Sequence, residues 1–136
     1  ISRIKNKNKL YNPKFIAIDD SEEWLGFHNE MFPNDLRDNV ELISRDCSTE
    51  VLNKEKLAYF LDIPDFPYEF IHVDGPNNTK FGAKASSDVI RLSRNIKGCV
   101  IYFDARQKTA RITCRILGVD YQRHFFTLNP LVVLKN

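Results

Sequence analysis

Asp19, Asp46, Asp74 and Asp104 each follow a short apolar run, so four carboxylates recur at the ends of stretches that read as strands. A carboxylate at the end of a strand leading into a helix accepts the two hydroxyls of a ribose, as the acidic residue of dinucleotide-binding folds does. Asp19 suits that role, with Asp20 left as the cap of the following helix. The plainer alternative is that both only turn and cap the chain. Arg106 follows Asp104 at the same edge and has the fork geometry to clamp an anionic group bidentately. Lys108, Arg111 and Arg115 come next and read as a solvated, ion-paired helix face. Segment 77–85, with Asn77, Asn78, Thr79, Lys80 and Gly82, suits either a mobile cover over a substrate or an ordinary connection.

The remaining chemistry-bearing residues point elsewhere. His28 sits at helical spacing, His72 precedes Asp74 by two residues and reads as core or helix-facing, and His124 adjoins Arg123. No His-x-x-His or paired Cys/His spacing supports zinc, and no Gly-x-Ser-x-Gly supports a serine nucleophile. Cys47, Cys99 and Cys114 are odd in number and widely spaced, the pattern of buried reduced thiols rather than of a disulfide framework. Tyr102, Phe103, Tyr121, Phe125 and Phe126 invite a stacking platform for single-stranded nucleic acid. They fall in apolar runs, however, and core packing is the favoured reading.

The elements that must position these residues follow from the apolar pattern. Phe15-Ile16-Ala17-Ile18 is a strand between Pro13 and Asp19. Asp20 and Glu23 have capping-box spacing, and Trp24, Phe27, His28 and Met31 recur at helical intervals until Pro33. Val40-Glu41-Leu42-Ile43 is a second strand. Ser48 or Thr49 then caps a helix whose apolar side carries Leu52, Leu57, Phe60 and Leu61 before Pro64. Residues 68–73 form a third strand, and Ser86 or Ser87 caps a third helix carrying Val89, Leu92 and Ile96 up to Gly98. Residues 99–103 form a fourth strand, and Ala110, Thr113 and Leu117 line a fourth helix up to Gly118. Residues 121–128 and 131–134 read as strands joined through Asn129-Pro130, the one antiparallel hairpin expected. Apolar strands alternating with helices imply an α/β, doubly wound, mostly parallel sheet, with ligands bound beyond the carboxyl ends of its strands.

A chain of 136 residues fits a single domain. With 43% hydrophobic and 28% charged residues, a mainly disordered chain is excluded. No apolar run reaches the ~18 residues of a membrane span, and no signal-peptide block opens the sequence, so the expectation is a cytoplasmic protein with no membrane partner. The net charge of +2 hides an asymmetry: residues 1–68 hold 9 Lys/Arg against 13 Asp/Glu, and residues 69–136 hold 11 against 5. A nucleic-acid partner is therefore an alternative, not the favoured one, because the cations are spread along helices.

The succession Phe15-Ile-Ala-Ile-Asp-Asp-Ser-Glu-Glu-Trp, Val40-Glu-Leu-Ile-Ser-Arg-Asp-Cys, Tyr68-Glu-Phe-Ile-His-Val-Asp-Gly-Pro and Val100-Ile-Tyr-Phe-Asp-Ala-Arg, closed by a terminal hairpin, resembles the class I S-adenosylmethionine-dependent methyltransferases. The resemblance runs from about Phe15 to the end and implies a Rossmann-like sheet. It implies that Asp19 holds the ribose of the methyl donor, that Asp46 accepts from the adenine amino group, and that the Cys47 backbone meets the ring edge. Asp74 would sit beneath the methyl group and face the acceptor. In metal-assisted members Asp74 and Asp104 match strand-end ligands of a divalent cation. Ala105 stands where a third oxygen ligand would be, so a metal is not favoured. Methyl transfer from a sulfonium is an in-line displacement that depends mostly on positioning, which contributes roughly 7 to 11 kcal/mol. For a hydroxyl acceptor, Asp74, Asp104 or a neutral Lys80 are candidate bases, and Arg106 would hold an anionic acceptor.

The family's first strand and glycine-rich turn have no match, since the five glycines stand at 26, 75, 82, 98 and 118. Residues 1–8 read as the tail of the helix after that turn. The missing strand would lie between the strands at 15–18 and 68–73, and without it orphaned backbone groups cost on the order of 1 to 3 kcal/mol each. The natural protein is expected to carry more chain upstream, and a version without it to bind the donor poorly. The favoured activity is methyl transfer to oxygen or nitrogen of a small-molecule or anionic acceptor. Two rivals remain. One is a non-catalytic Rossmann-like module for nucleotide binding or protein interaction. The other is an RNA methyltransferase, which needs the basic residues of 80–123 on one face and predicts affinity that falls steeply with salt.

Overall fold

The computed structural model describes residues 14–31, 33–96, 98–123 and 130–134. They fall into two compact units, Ile1–Asp46 and Cys47–Asn136. The architecture is mixed α/β, with three small sheets among the described residues.

In the first unit, β1 (Phe15–Asp19) pairs in parallel with β2 (Val40–Ser44), Phe15 opposite Val40 and Asp19 opposite Ser44. The crossover holds α1 (Glu22–Met31) and the short α2 (Asn34–Arg37). This is the strand–helix–strand succession expected from the apolar runs, with one correction. Ser21, not Asp20, caps α1: its hydroxyl accepts the Trp24 N–H at 3.2 Å. Leu25 is the buried residue of α1, while Trp24, Phe27, His28 and Met31 are exposed. The rings of Trp24, Phe27 and His28 instead pack on one another at centroid separations of 6.0 to 6.1 Å.

The second unit contains a β-hairpin where the apolar spacing predicts a helix. Strands β3 (Cys47–Leu52) and β4 (Glu55–Phe60) are antiparallel, with Leu52 opposite Glu55. The two turn residues, Asn53 and Lys54, have φ of 49° and 65°, the left-handed pair that a two-residue hairpin of matching twist requires. Leu57, Ala58 and Phe60 are buried on β4. Short apolar runs fit either periodicity, and here tertiary burial decides for strand. A second hairpin thus joins the terminal one.

The third sheet of the chain has the order β5 (Phe70–Val73), β7 (Val100–Phe103), β9 (Pro130–Val133), β8 (Gln122–Arg123). The β5–β7 pair is parallel and the other two are antiparallel, as the expected closing hairpin requires. The short β6 (Ala85–Ser86) adds to β4 in parallel. Helix α3 (Asp88–Leu92) is shorter than the pattern predicts, but Ile96 beyond it is still fully buried. Helix α4 (Gln107–Leu117) ends, as expected, at Gly118, whose φ of 67° is left-handed. Ala110 and Cys114 of α4 pack with Val73, Ile101, Phe103 and Val132, while Ile112 packs with Leu57 and Ala85. One helix therefore serves the cores over both sheets of this unit. Burying Phe103 and Ile101 contributes about 1.5 to 3 kcal/mol each.

Phe103 is core, against the stacking-platform reading, and Tyr121 packs against the same cluster. The expectations for residues 1–8, His124, Phe125, Phe126 and the turn at 129 lie outside the described residues. No described helix is long and apolar enough to cross a membrane.

Candidate functional site

The parallel pairing of β5 and β7 brings the ends of two apolar strands side by side, with Val73 opposite Phe103. The Asp104 N–H continues the ladder by donating to the Val73 carbonyl at 3.0 Å. Asp74 and Asp104 therefore leave the sheet at the same edge, which is the placement the sequence predicts for them. Ala105 follows with a φ of 50°. That conformation costs a non-glycine residue roughly 1 to 2 kcal/mol. It turns the chain sharply into α4, and Arg106 occupies the N-cap position of that helix.

Arg106 reaches back across the edge. Its Nη2 donates to the backbone carbonyl of Asp74 and lies 3.5 Å from Asp74 Oδ1. The guanidinium thus holds the Asp74 peptide and carboxylate together. Beside this pair, His72 Nε2 stands 3.7 Å from Asp104 Oδ2, and its ring stacks on Tyr102 at 5.6 Å. His72 is half-exposed, so the core reading of this histidine is not what the strand face provides. Two acids, one guanidinium and one imidazole share an edge that stays open to solvent. Such a set can orient a polar ligand, hold an anion or move a proton.

The loop after Asp74 is built by close packing. A Cβ on Gly75 would approach the buried Phe60 ring to 3.2 Å, so a side chain there would require the ring to shift by a few tenths of an ångström. The connection is tied down by Ala83 N–H donating to Asn78 O at 2.8 Å and Lys84 N–H donating to Lys56 O at 2.8 Å. These bonds favour an ordinary connection over a mobile cover. Lys80 lies in this turn, with its N–H donated to Asn77 Oδ1 and its ammonium 5.3 Å from the Phe81 ring centroid.

The donor-side candidates divide between the units, Asp19 and Asp46 in the first and Cys47 in the second. Asp19 closes β1, and its Oδ1 accepts the Ser21 N–H at 2.8 Å. One carboxylate oxygen is therefore committed to the turn. Asp46 is exposed between β2 and β3, and Cys47 opens β3 opposite Phe60.

The sequence reading missed a buried polar cluster. Asp88 accepts the Phe60 N–H at 2.9 Å and the Ser86 hydroxyl at 2.6 Å. Burial pushes its carboxyl up to about 6, against those two hydrogen bonds. Ser87, the N-cap residue of α3, makes no side-chain cap bond. Its hydroxyl donates instead to Glu50 Oε1 at 2.6 Å, and Arg91 donates to Glu50 Oε2 at 3.4 Å. The visible signal is the run Ser86-Ser87-Asp88, which reads as a helix cap and is used here to lock α3 against β4 and β6.

Among the described residues, no group of three or more His, Cys, Asp or Glu side chains is arranged to hold a metal ion. The chain matches no protein-family model, no curated protein and no solved structure.

Proposed function

We propose that the chain is the Rossmann-like domain of an S-adenosylmethionine-dependent methyltransferase acting on oxygen or nitrogen of a small-molecule or anionic acceptor. The observation that carries this reading is the parallel β5–β7 pair ending in Asp74 and Asp104 with Arg106 turned onto Asp74. The parallel β1–β2 crossover in the first unit and the parallel β5–β7 pair with its antiparallel hairpin in the second lend support to the reading.

The donor, when bound, supplies an electrophilic methyl group on a sulfonium. The chain's own residues do the positioning. Within the first unit, Asp19 would accept from a ribose hydroxyl and Asp46 from an adenine amino group. Asp74 faces the acceptor with its carboxylate fixed by Arg106, and Asp104 takes the acceptor proton, with His72 beside it to share the charge. Lys80 is the alternative base. The second reading, a non-catalytic module, draws on the same contact, because Arg106 and Asp74 already satisfy one another.

Thermal shift separates the two readings. Stabilisation by S-adenosylhomocysteine, but not by ATP or NAD, is expected of the methyltransferase. Stabilisation by ATP or NAD alone, or by none of the three, contradicts it.

A further inference from the structure

We infer that the outer face of α4 binds the phosphate backbone of a single-stranded nucleic acid, in a cleft lined by Lys108, Arg111, Arg115, Ile112 and Glu55. The cleft encloses about 240 Å³. Its only acid, Glu55, is shared by Lys84 at 2.7 Å and Arg115 at 3.3 Å. The Lys84 hydrogen bond, aided by Arg115, holds the Glu55 carboxyl below the usual range although burial opposes this. Lys108 and Arg111 have no ion-pair partner among the described residues.

Helix α4 contains no acid, and its three cations recur at spacings of three and four residues. Like charges at those spacings repel across a helix surface, and a single carboxylate does not neutralise three of them plus Lys84. An anion from outside the chain would relieve the repulsion. The cations extend over about 10 Å of helix axis, a row that fits successive phosphates better than one carboxylate, and guanidinium forks match phosphate oxygens bidentately. The three cations stand in a single row on one helix, which tracks one backbone rather than the paired strands of a duplex. A membrane surface fits poorly, because an interfacial helix needs exposed apolar side chains. None of the large exposed hydrophobic residues lines this cleft, and α4 buries Ala110, Ile112 and Cys114 inside the protein. The inference stands independently of the methyl-transfer reading.

Fluorescence anisotropy of a labelled oligouridylate 12-mer, titrated with the chain at 50 and 200 mM NaCl, is the test. Three to four phosphate contacts predict affinity that falls about 20- to 50-fold between those salts. Lys108→Ala/Arg111→Ala is expected to lose tenfold or more at 50 mM with a flatter salt dependence, its fold checked by circular dichroism. Arg94→Ala, an exposed cation outside the cleft, serves as control and is expected to bind like the wild type. Absence of binding at 50 mM NaCl overturns the inference. So does an equal loss in the double variant and the control, or stronger binding to phosphatidylserine vesicles or polyglutamate than to the oligonucleotide.

Discussion

Arg106 hydrogen-bonds the backbone carbonyl of Asp74 and lies 3.5 Å from the carboxylate Oδ1 of the same residue, closing the edge between β5 and β7 across 32 residues of sequence. The guanidinium side chain is about one-third exposed, so part of its electrostatic worth is screened. Arg106→Ala is expected to destabilise the chain by about 1 kcal/mol, measured as a lower urea midpoint at unchanged m-value. Arg106→Lys, lacking the fork, should recover only part of the loss. An unchanged midpoint in Arg106→Ala would show that the contact contributes nothing in solution.

Asp88 predicts an uncommon pH dependence. Its folded value of about 6 lies above the ordinary 3.8, so the folded chain holds this proton more tightly than the unfolded chain. The stabilisation from this group is therefore complete below the ordinary value and is lost as pH rises through about 6. Acidifying from pH 7 to 5 should stabilise the chain through Asp88 by about 1 kcal/mol. Asp88→Asn keeps an acceptor for the Phe60 N–H and removes the titration. The measurement is unfolding free energy from pH 5 to 7.5 in both forms, and the difference between them should flatten above pH 7. Parallel curves across the whole range would rule out this titration.

The hairpin turn yields a third expectation. Lys54 carries a φ of 65° that glycine adopts without strain. Lys54→Gly should stabilise by about 0.5 to 1 kcal/mol and Lys54→Val should destabilise by about 1 kcal/mol. Melting temperatures moving in the opposite order would contradict the turn assigned to residues 52–55.

Thiol reactivity supplies a fourth. Burial pushes the Cys99 thiol up to about 11 and raises Cys114, with Asp120 adding to the second effect. Cys47 is only half-buried. A disulfide-exchange reagent at pH 8 should label one thiol rapidly in the native chain and three in denaturant. Rapid native labelling of all three would place Cys99 and Cys114 outside the core.

Much of the frame is legible in the residues. The runs Phe15-Ile-Ala-Ile, Val40-Glu-Leu-Ile and Val100-Ile-Tyr-Phe lie within the strands they predict, and Gly118 ends α4. Asp74 and Asp104 could be assigned to one edge because strand ends followed by turns leave few alternatives. Residues 47–60 were not legible, because Leu52, Leu57 and Phe60 fit a helix face as well as a strand and Asn53-Lys54 lacks the glycine that marks such turns. The Arg106–Asp74 contact was invisible for a different reason. It depends on the left-handed Ala105, which nothing in the residue type announces. The helical spacing of Trp24, Phe27, His28 and Met31 announces α1, and periodicity alone does not say what covers those side chains.

The most direct test of the methyl-donor assignment is calorimetric titration of S-adenosylhomocysteine into the chain, with Asp19→Ala and Asp46→Ala titrated in parallel. Saturable binding is expected, weakened at least tenfold in each variant. No heat of binding at millimolar ligand, or equal binding by the wild type and both variants, would contradict the assignment.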